Sequence, residues 1–222
     1  MQNIIEVLNQ NIEAVDRGPI SFYLGMEVER DGDRGDLTTH QTRYATELIR
    51  QWGMTDCKPA ATPWAPGTIL CEKHCGNLET KAYQSLIGGL MYLAIISRPD
   101  IPHVVSKLSQ YNSHPHNEHM QAAKYVLRYL KKAPNDADWG SDSIDRKSYT
   151  GYFVTMAGGA IAWESRKQSV VALSSMKAEY IALCQGAKET VFLRGMLCAL
   201  GYTDYTKGYI RFYATTKVRS LW

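Results

Sequence analysis

A chain of 222 residues is long enough to bury a core as one large domain or two small ones. With 45% hydrophobic and 21% charged residues it lacks the bias of a disordered chain, and a net charge of +3 permits a nucleic-acid partner without demanding one. Five cysteines without regular spacing exclude a disulfide framework, and no secretory signal pattern opens the chain, so a reducing compartment, cytoplasmic or nuclear, is expected. The longest apolar run, Leu86 to Ile96, is well short of the ~20 residues that cross a bilayer, so no membrane contact is expected.

Residues 3–14 alternate apolar and polar groups weakly. Gly18-Pro19 then punctuates before ISFYLGMEVER, a β-branched and aromatic run that predicts one strand. DGDRGD, Asp31 to Asp36, is a turn, and its RGD reads as a hairpin loop rather than an adhesion signal. From Thr39 the period becomes helical: Tyr44, Ala45, Leu48, Ile49 and Trp52 share a face, with Thr39 as N-cap and Gly53 closing the end. KPAATPWAPGT, residues 58–68, predicts an extended linker and a natural boundary.

Cys71, His74 and Cys75 invite a zinc reading, with His114, His116 and His119 as the other half. The second half lacks the paired spacing of structural zinc, which leaves a polar loop as the plainer reading. Two helices flank the Arg98-Pro99-Asp100 break, one lined by Tyr83, Leu86, Ile87, Leu90, Met91 and Ala94, the next by Val104, Val105, Leu108 and Tyr111. Gly88-Gly89 inside the first costs about 1 kcal/mol per glycine relative to alanine, so close packing against a neighbour is expected there. A third helix runs from about His119 to Lys131. Opposite its apolar side, Lys124, Arg128 and Lys131 form a basic stripe, open to two readings: a row that tracks a phosphate backbone, or a solvated face.

A second domain begins at Asn135. Gly151–Met156, Ala160–Glu164 and Ser169–Leu173 predict a meander of three short strands. Ser174 or Ser175 caps a long helix that ends at Gly201, with Gly186 and Gly195 as points where it could break or bend, and Tyr209–Tyr213 predicts one more strand. Asp136 and Asp138 precede a Gly-rich turn, and Glu179 lies early in the long helix. Carboxylates gathered from separate elements are what a Mg²⁺ site needs, since that ion prefers oxygen ligands in near-octahedral geometry.

The blocks YLGMEV, LTTHQTRYATELIRQWGM, DCKPAATP, AYQSLIGGLMYLAIISRPDI, HMQAAKYVLRYLK, DADWGSD, DRKSYTGY, GGAIAWESRKQ and VALSSMKAEYIAL resemble, in order and spacing, the C-terminal part of copia-type LTR retrotransposon polyproteins. There the end of a reverse transcriptase leads through a connecting region into a ribonuclease H domain. The resemblance covers about Asn3 to Tyr213. It implies three parts: a reverse-transcriptase end with a primer-grip-like hairpin and thumb helix (1–57), a linker with helical connection (58–134), and a truncated ribonuclease H-like domain (135–222). The implied fold is α/β in the α+β sense: partial thumb and connection helices, then an incomplete ribonuclease H-like mixed sheet with flanking helices.

Carried over by position, Tyr23 to Gly25 resembles the hairpin that holds the primer end. The resemblance also favours nucleic-acid contact for Lys124, Arg128 and Lys131, with an RNA–DNA hybrid or duplex nucleic acid as partner. Asp136 and Glu179 match family carboxylates that hold Mg²⁺, while Asp138 and Asp142 match acids not usually assigned to the metals. The family is an RNA-directed DNA polymerase and ribonuclease H; the latter hydrolyses RNA in a hybrid using two Mg²⁺ ions that clamp attacking and leaving oxygens.

The chain departs from that pattern at specific places. The polymerase's Tyr-x-Asp-Asp turn would lie before Met1. Lys131 to Asn135 leaves no room for the apolar strand that should precede Asp136, a loss expected to expose the hydrogen-bonding edge of its neighbour. Where the family has Cys-Asp-Asn, this chain has Ala214-Thr215-Thr216, so the third carboxylate is missing at Thr215; the last acidic ligand would lie beyond Trp222, and Lys177 replaces a usual acid. Three expectations follow: a degenerate, catalytically inactive fragment, a retained nucleic-acid-binding module using the basic helix face, or a chain that barely folds.

Overall fold

A computed structural model describes residue 15 and residues 18–32, 36–68, 70, 79–132, 149–156, 159–168, 175–202 and 212–215. The fold is α+β, with two small antiparallel sheets and five helices among the described residues. The N-terminal sheet has the order β1 (Phe22–Tyr23), β2 (Met26–Arg30), β3 (Leu37–His40). The single strand that the local pattern predicts over ISFYLGMEVER is a hairpin, as the resemblance at Tyr23 to Gly25 implies, with Tyr23 paired to Met26 across the two-residue loop Leu24-Gly25. Both loop residues have positive φ, 46° and 79°, as a type I′ turn requires to match the twist of its strands. Gly25 is doubly constrained, because a Cβ there would overlap the Tyr92 hydroxyl.

Thr39 does not cap the first helix. LTTH is a strand whose β-branched residues pair with β2, Glu27 opposite His40 through Arg30 opposite Leu37. Helix α1 (Thr42–Gln51) starts only after Gln41, and no side chain of its own caps it. Instead the Glu27 carboxylate accepts from the Arg43 backbone N–H at 3.2 Å, placing negative charge on the positive end of the helix. At the other end Gly53 (φ 64°) donates to the Arg50 carbonyl and Met54 to that of Ile49, a Schellman closure.

Helices α2 (Thr80–Ile96), α3 (Pro102–Ser109) and α4 (Asn117–Lys132) pack with α1 around one core. Leu86, Ile87, Leu90, Leu93, Ile101, Leu108, Leu127 and Leu130 are almost fully buried, and Ala45, Leu48 and Ile49 of α1 join them with Ala60 and Trp64 of the linker. The 57/58 division expected from the prolines therefore separates segments that share a core. Of the glycine pair in α2, only Gly89 faces a neighbour: a Cβ there would stand 2.8 Å from Leu48 Cδ1, whereas Gly88 faces open space.

The Arg98-Pro99-Asp100 break is more than a helix stop. Arg98 Nε donates to Asp100 Oδ1 at 2.9 Å with a second N–H to Oδ2, and the Tyr129 hydroxyl donates to the same Oδ2 at 2.7 Å, all buried. Burial alone would lower the Arg98 pKa, but the hydrogen bond and charge of Asp100 outweigh it and raise it.

The C-terminal sheet has the order β5 (Gly159–Lys167), β4 (Tyr149–Met156), β6 (Phe212–Thr215). Both hairpin strands run longer than their sequence pattern, with a bulge between Val154 and Thr155. The strand expected at Tyr209–Tyr213 lies later, at 212–215, while the one expected at Ser169–Leu173 is outside the described residues. The edge of β4 expected to stand open is closed: β6 pairs along it from Gly151 opposite Thr215 to Val154 opposite Phe212. Unpaired backbone groups are costly, so the next available strand takes that edge.

Helix α5 (Ser175–Ala199) runs unbroken through Gly186 and Gly195, packs on β4 and β6, and closes at Gly201 (φ 84°), which donates to Cys198 while Tyr202 donates to Leu197. Strand β5 docks on the helical half, where Trp163 Nε1 donates to the Ala94 carbonyl at 2.8 Å and Lys167 Nζ to Gln110 Oε1 at 3.2 Å. Among the described residues no helix is long and apolar enough to cross a membrane.

Candidate nucleic-acid interface

The β1–β2 hairpin brings Tyr23 and Gly25 to an exposed tip. Phe22, Tyr23 and Leu24 are 55%, 53% and 69% exposed, an apolar triplet offered to solvent. The tip is nevertheless fixed from below, because the Tyr92 hydroxyl of α2 donates to the Leu24 carbonyl at 2.7 Å and the Tyr92 ring meets Tyr44 of α1 edge-on at 4.8 Å. Leucine in a left-handed conformation is unfavourable, and such strain persists only where the surroundings hold it. Sequence reasoning missed Tyr92; nothing local could show that Tyr92, 68 residues on, lies beneath the turn.

The basic stripe of α4 divides. Arg128 Nε donates to the Lys58 carbonyl at 2.7 Å and the Lys131 ammonium to the carbonyls of Thr55 and Cys57, the latter at 2.8 Å. The Ala60 N–H donates in turn to the Arg128 carbonyl at 3.1 Å. Two of the three cations thus fasten residues 55–60 to α4. Lys124 makes no such contact among the described residues. Beside it the Arg128 guanidinium lies 5.1 Å from the centre of the Tyr125 ring.

A titratable cluster absent from the sequence reading lies between β2, β3 and α1. His40 Nδ1 is 3.1 Å from Glu27 and Nε2 is 3.3 Å from Glu29. Each ring nitrogen faces a different carboxylate, so the three do not converge on one point; the histidine ties two strand residues together.

Of the expected Mg²⁺ ligands, Asp136 lies outside the described residues, as do Asp138, Asp142, Cys71, His74 and Cys75. Glu179 is half-buried on α5, while Lys177, two residues before it, is exposed. Thr215 sits in β6 opposite Gly151, so that strand brings a threonine, not a carboxylate, to the sheet beside α5. Among the described residues no three His, Cys, Asp or Glu side chains could hold a metal ion together. His119, the expected half of a zinc site, is fully buried, stacks on Tyr111 at 3.9 Å and accepts from the His116 N–H.

Over 217 residues, 87% of this chain, it is 36% identical to the retrovirus-related Pol polyprotein from transposon TNT 1-94 of Nicotiana tabacum. Over 219 residues, 90% of the chain, it is 33% identical to that from transposon RE1 of Arabidopsis thaliana. The chain belongs to the retrovirus-related Pol polyproteins of copia-type transposons. It spans only 16% and 15% of the length of those two relatives. A shorter relative, the secreted RxLR effector protein 161 of Plasmopara viticola, is 40% identical over 133 residues, 52% of this Pol segment and 94% of that protein. No family model and no solved structure matches the segment.

Proposed function

We propose that this Pol segment derives from the junction of reverse transcriptase and ribonuclease H, and that it grips an RNA–DNA hybrid or duplex nucleic acid without cleaving it. The observation that carries the gripping half is the β1–β2 tip. An apolar triplet held in a strained turn, and braced by Tyr92, is a preformed surface for the end or minor groove of a duplex. A rigid contact loses little entropy on binding, so few side chains can serve. The inactive half is supported by the Thr215 position in β6, where the resemblance calls for a carboxylate. A catalytic constellation acts as a unit, so the loss of one member removes most of its effect.

Two measurements test this reading. The purified chain incubated with a labelled hybrid and Mg²⁺ or Mn²⁺ should give no cleavage; cleavage abolished by Glu179→Ala would overturn the inactive half. Binding of the hybrid should weaken with rising salt, as phosphate contacts require. Leu24→Asn keeps the turn conformation accessible but removes the apolar tip, and should weaken hybrid binding about five-fold or more if each lost contact is worth about 1 kcal/mol. Unchanged affinity would sink the tip assignment.

A further inference from the structure

Resting on the reading that this segment binds nucleic acid, we propose a second, separate subsite: the cleft between the linker and α4 takes an unpaired nucleotide of a single strand. Thr68 and Leu70 form one wall, and Glu118, Lys124, Tyr125 and Arg128 form the other. Its volume, about 520 Å³, lies within the range of small-molecule sites.

Three features select the ligand. The first is charge. Lys124 has no protein partner among the described residues, and Arg128 spends only its Nε, on the Lys58 carbonyl, leaving its terminal N–H groups for an anion. Among the described lining residues these two cations face one carboxylate, that of Glu118, a balance that suits a phosphate. The second is the ring: Tyr125, one side of which is covered by the Arg128 guanidinium, makes a flat ledge on which a base can stack. The third is rigidity. Arg128 and Lys131 tie residues 55–60 to α4, and the buried Trp64 anchors the next stretch, so the wall that carries Thr68 is positioned before any ligand arrives. A duplex keeps its bases stacked within the helix and cannot offer one to the Tyr125 ledge. A single strand can.

The test uses the whole chain, a short labelled oligothymidylate, and a blunt RNA–DNA hybrid. Tyr125→Leu should weaken the single strand about five-fold or more, in line with the loss of one base–aromatic stack, and Tyr125→Phe should retain binding. Lys124→Gln, at a partly exposed position where folding is not at stake, should lower the salt dependence of single-strand binding by about 0.7 in logarithmic slope, the increment of one phosphate. Both substitutions should affect the single strand several times more than the hybrid. Equal losses for both ligands, or no loss of single-strand affinity in Tyr125→Leu and Lys124→Gln, would overturn the subsite. Wild-type hybrid binding tests the broader reading independently: a chain that binds neither ligand at low salt defeats both.

Discussion

Between Ala45 and Leu130 the chain gathers its buried apolar side chains into one cluster drawn from four helices and the linker, whereas from Tyr149 onward, among the residues whose burial the structure describes, Val154, Ala182 and Leu193 are the buried hydrophobics. The helical half is held by close packing. The sheet half is held by strand pairing on both edges of β4, by α5 on β4 and β6, and by the docking of β5 on the helices. Helix α5 shows the contrast most clearly, because Tyr180, Val191 and Phe192 lie 64–71% exposed on a helix whose apolar and charged residues are spread around its whole circumference. Packing carries many contacts per residue and tolerates the loss of one; a three-stranded sheet with few buried residues has little reserve. Cooperative unfolding is therefore expected of residues 42–132, with residues 149–215 opening at lower free energy.

The largest effect should come from breaking the one polar network inside the helical core. Asp100→Ala leaves the Arg98 guanidinium buried without its counter-charge and removes the acceptor of the Tyr129 hydroxyl. A loss of about 3–5 kcal/mol is expected, the usual cost of removing one partner of a buried pair. Urea unfolding followed by circular dichroism reads it directly, and the sheet half should unfold in the same transition, since its dock is gone. Tyr129→Phe, which keeps the ion pair, should lose only about 1 kcal/mol.

That network also shows where sequence stops. Helical periodicity made the apolar faces of α2, α3 and α4 legible, and Gly53 and Gly201 as helix closures followed from chemistry within a few residues. Arg98 and Asp100 looked like a charged break because their third member, Tyr129, lies on another helix. The hairpin at Leu24-Gly25 followed from the family resemblance of Tyr23 to Gly25 but not from the local pattern, because leucine is a poor type I′ residue and local preference argues against the turn that Tyr92 holds. Pairing is non-local too: LTTH became a strand rather than a cap, and β6 took the edge of β4, through partners that no window contains. The basic stripe of α4 was legible as a face; the carbonyls of Thr55, Cys57 and Lys58 beside it were not.

Next in size is the joint between the halves. Trp163→Phe keeps most of the ring but deletes the donor to the Ala94 carbonyl, a loss of about 0.5–1.5 kcal/mol for one hydrogen bond. Amide exchange should quicken in β4 and β5 while α2 and α4 keep their protection. Equal quickening in both halves would mean that they unfold as one unit and would break the contrast.

The glycine pair of α2 sharpens the packing side. Gly88 faces open space, so Gly88→Ala should stabilise by up to about 1 kcal/mol through helix propensity alone. At Gly89 the same change puts a Cβ 2.8 Å from Leu48 Cδ1, whose side chain is itself buried, so the propensity gain should be offset or reversed. Thermal melting of the two variants compares them; equal shifts would show that the α1–α2 contact is looser than the structure has it.

The smallest effect belongs to the sheet half and depends on pH. Burial, and then the nearby Glu189 and Glu164 carboxylates, push the Tyr152 phenol up to about 12, with Arg166 opposing. The unfolded phenol ionises near its ordinary value of about 10. Because the folded value is the higher one, the unfolded state loses its proton first as pH rises. The contribution of Tyr152 is therefore complete below about pH 10 and is lost progressively between about 10 and 12. Tyr83 in the helical core is pushed up by burial as well, so the wild-type chain should lose stability in alkali through both halves. Tyr152→Phe should remove only the sheet's share: the melting temperature of the wild type should fall relative to that of the variant as pH rises from about 9 to about 11, because only the wild type has that ionisation to lose. A constant difference across the range would place the Tyr152 hydroxyl in water and weaken the case that α5 and β4 exclude it.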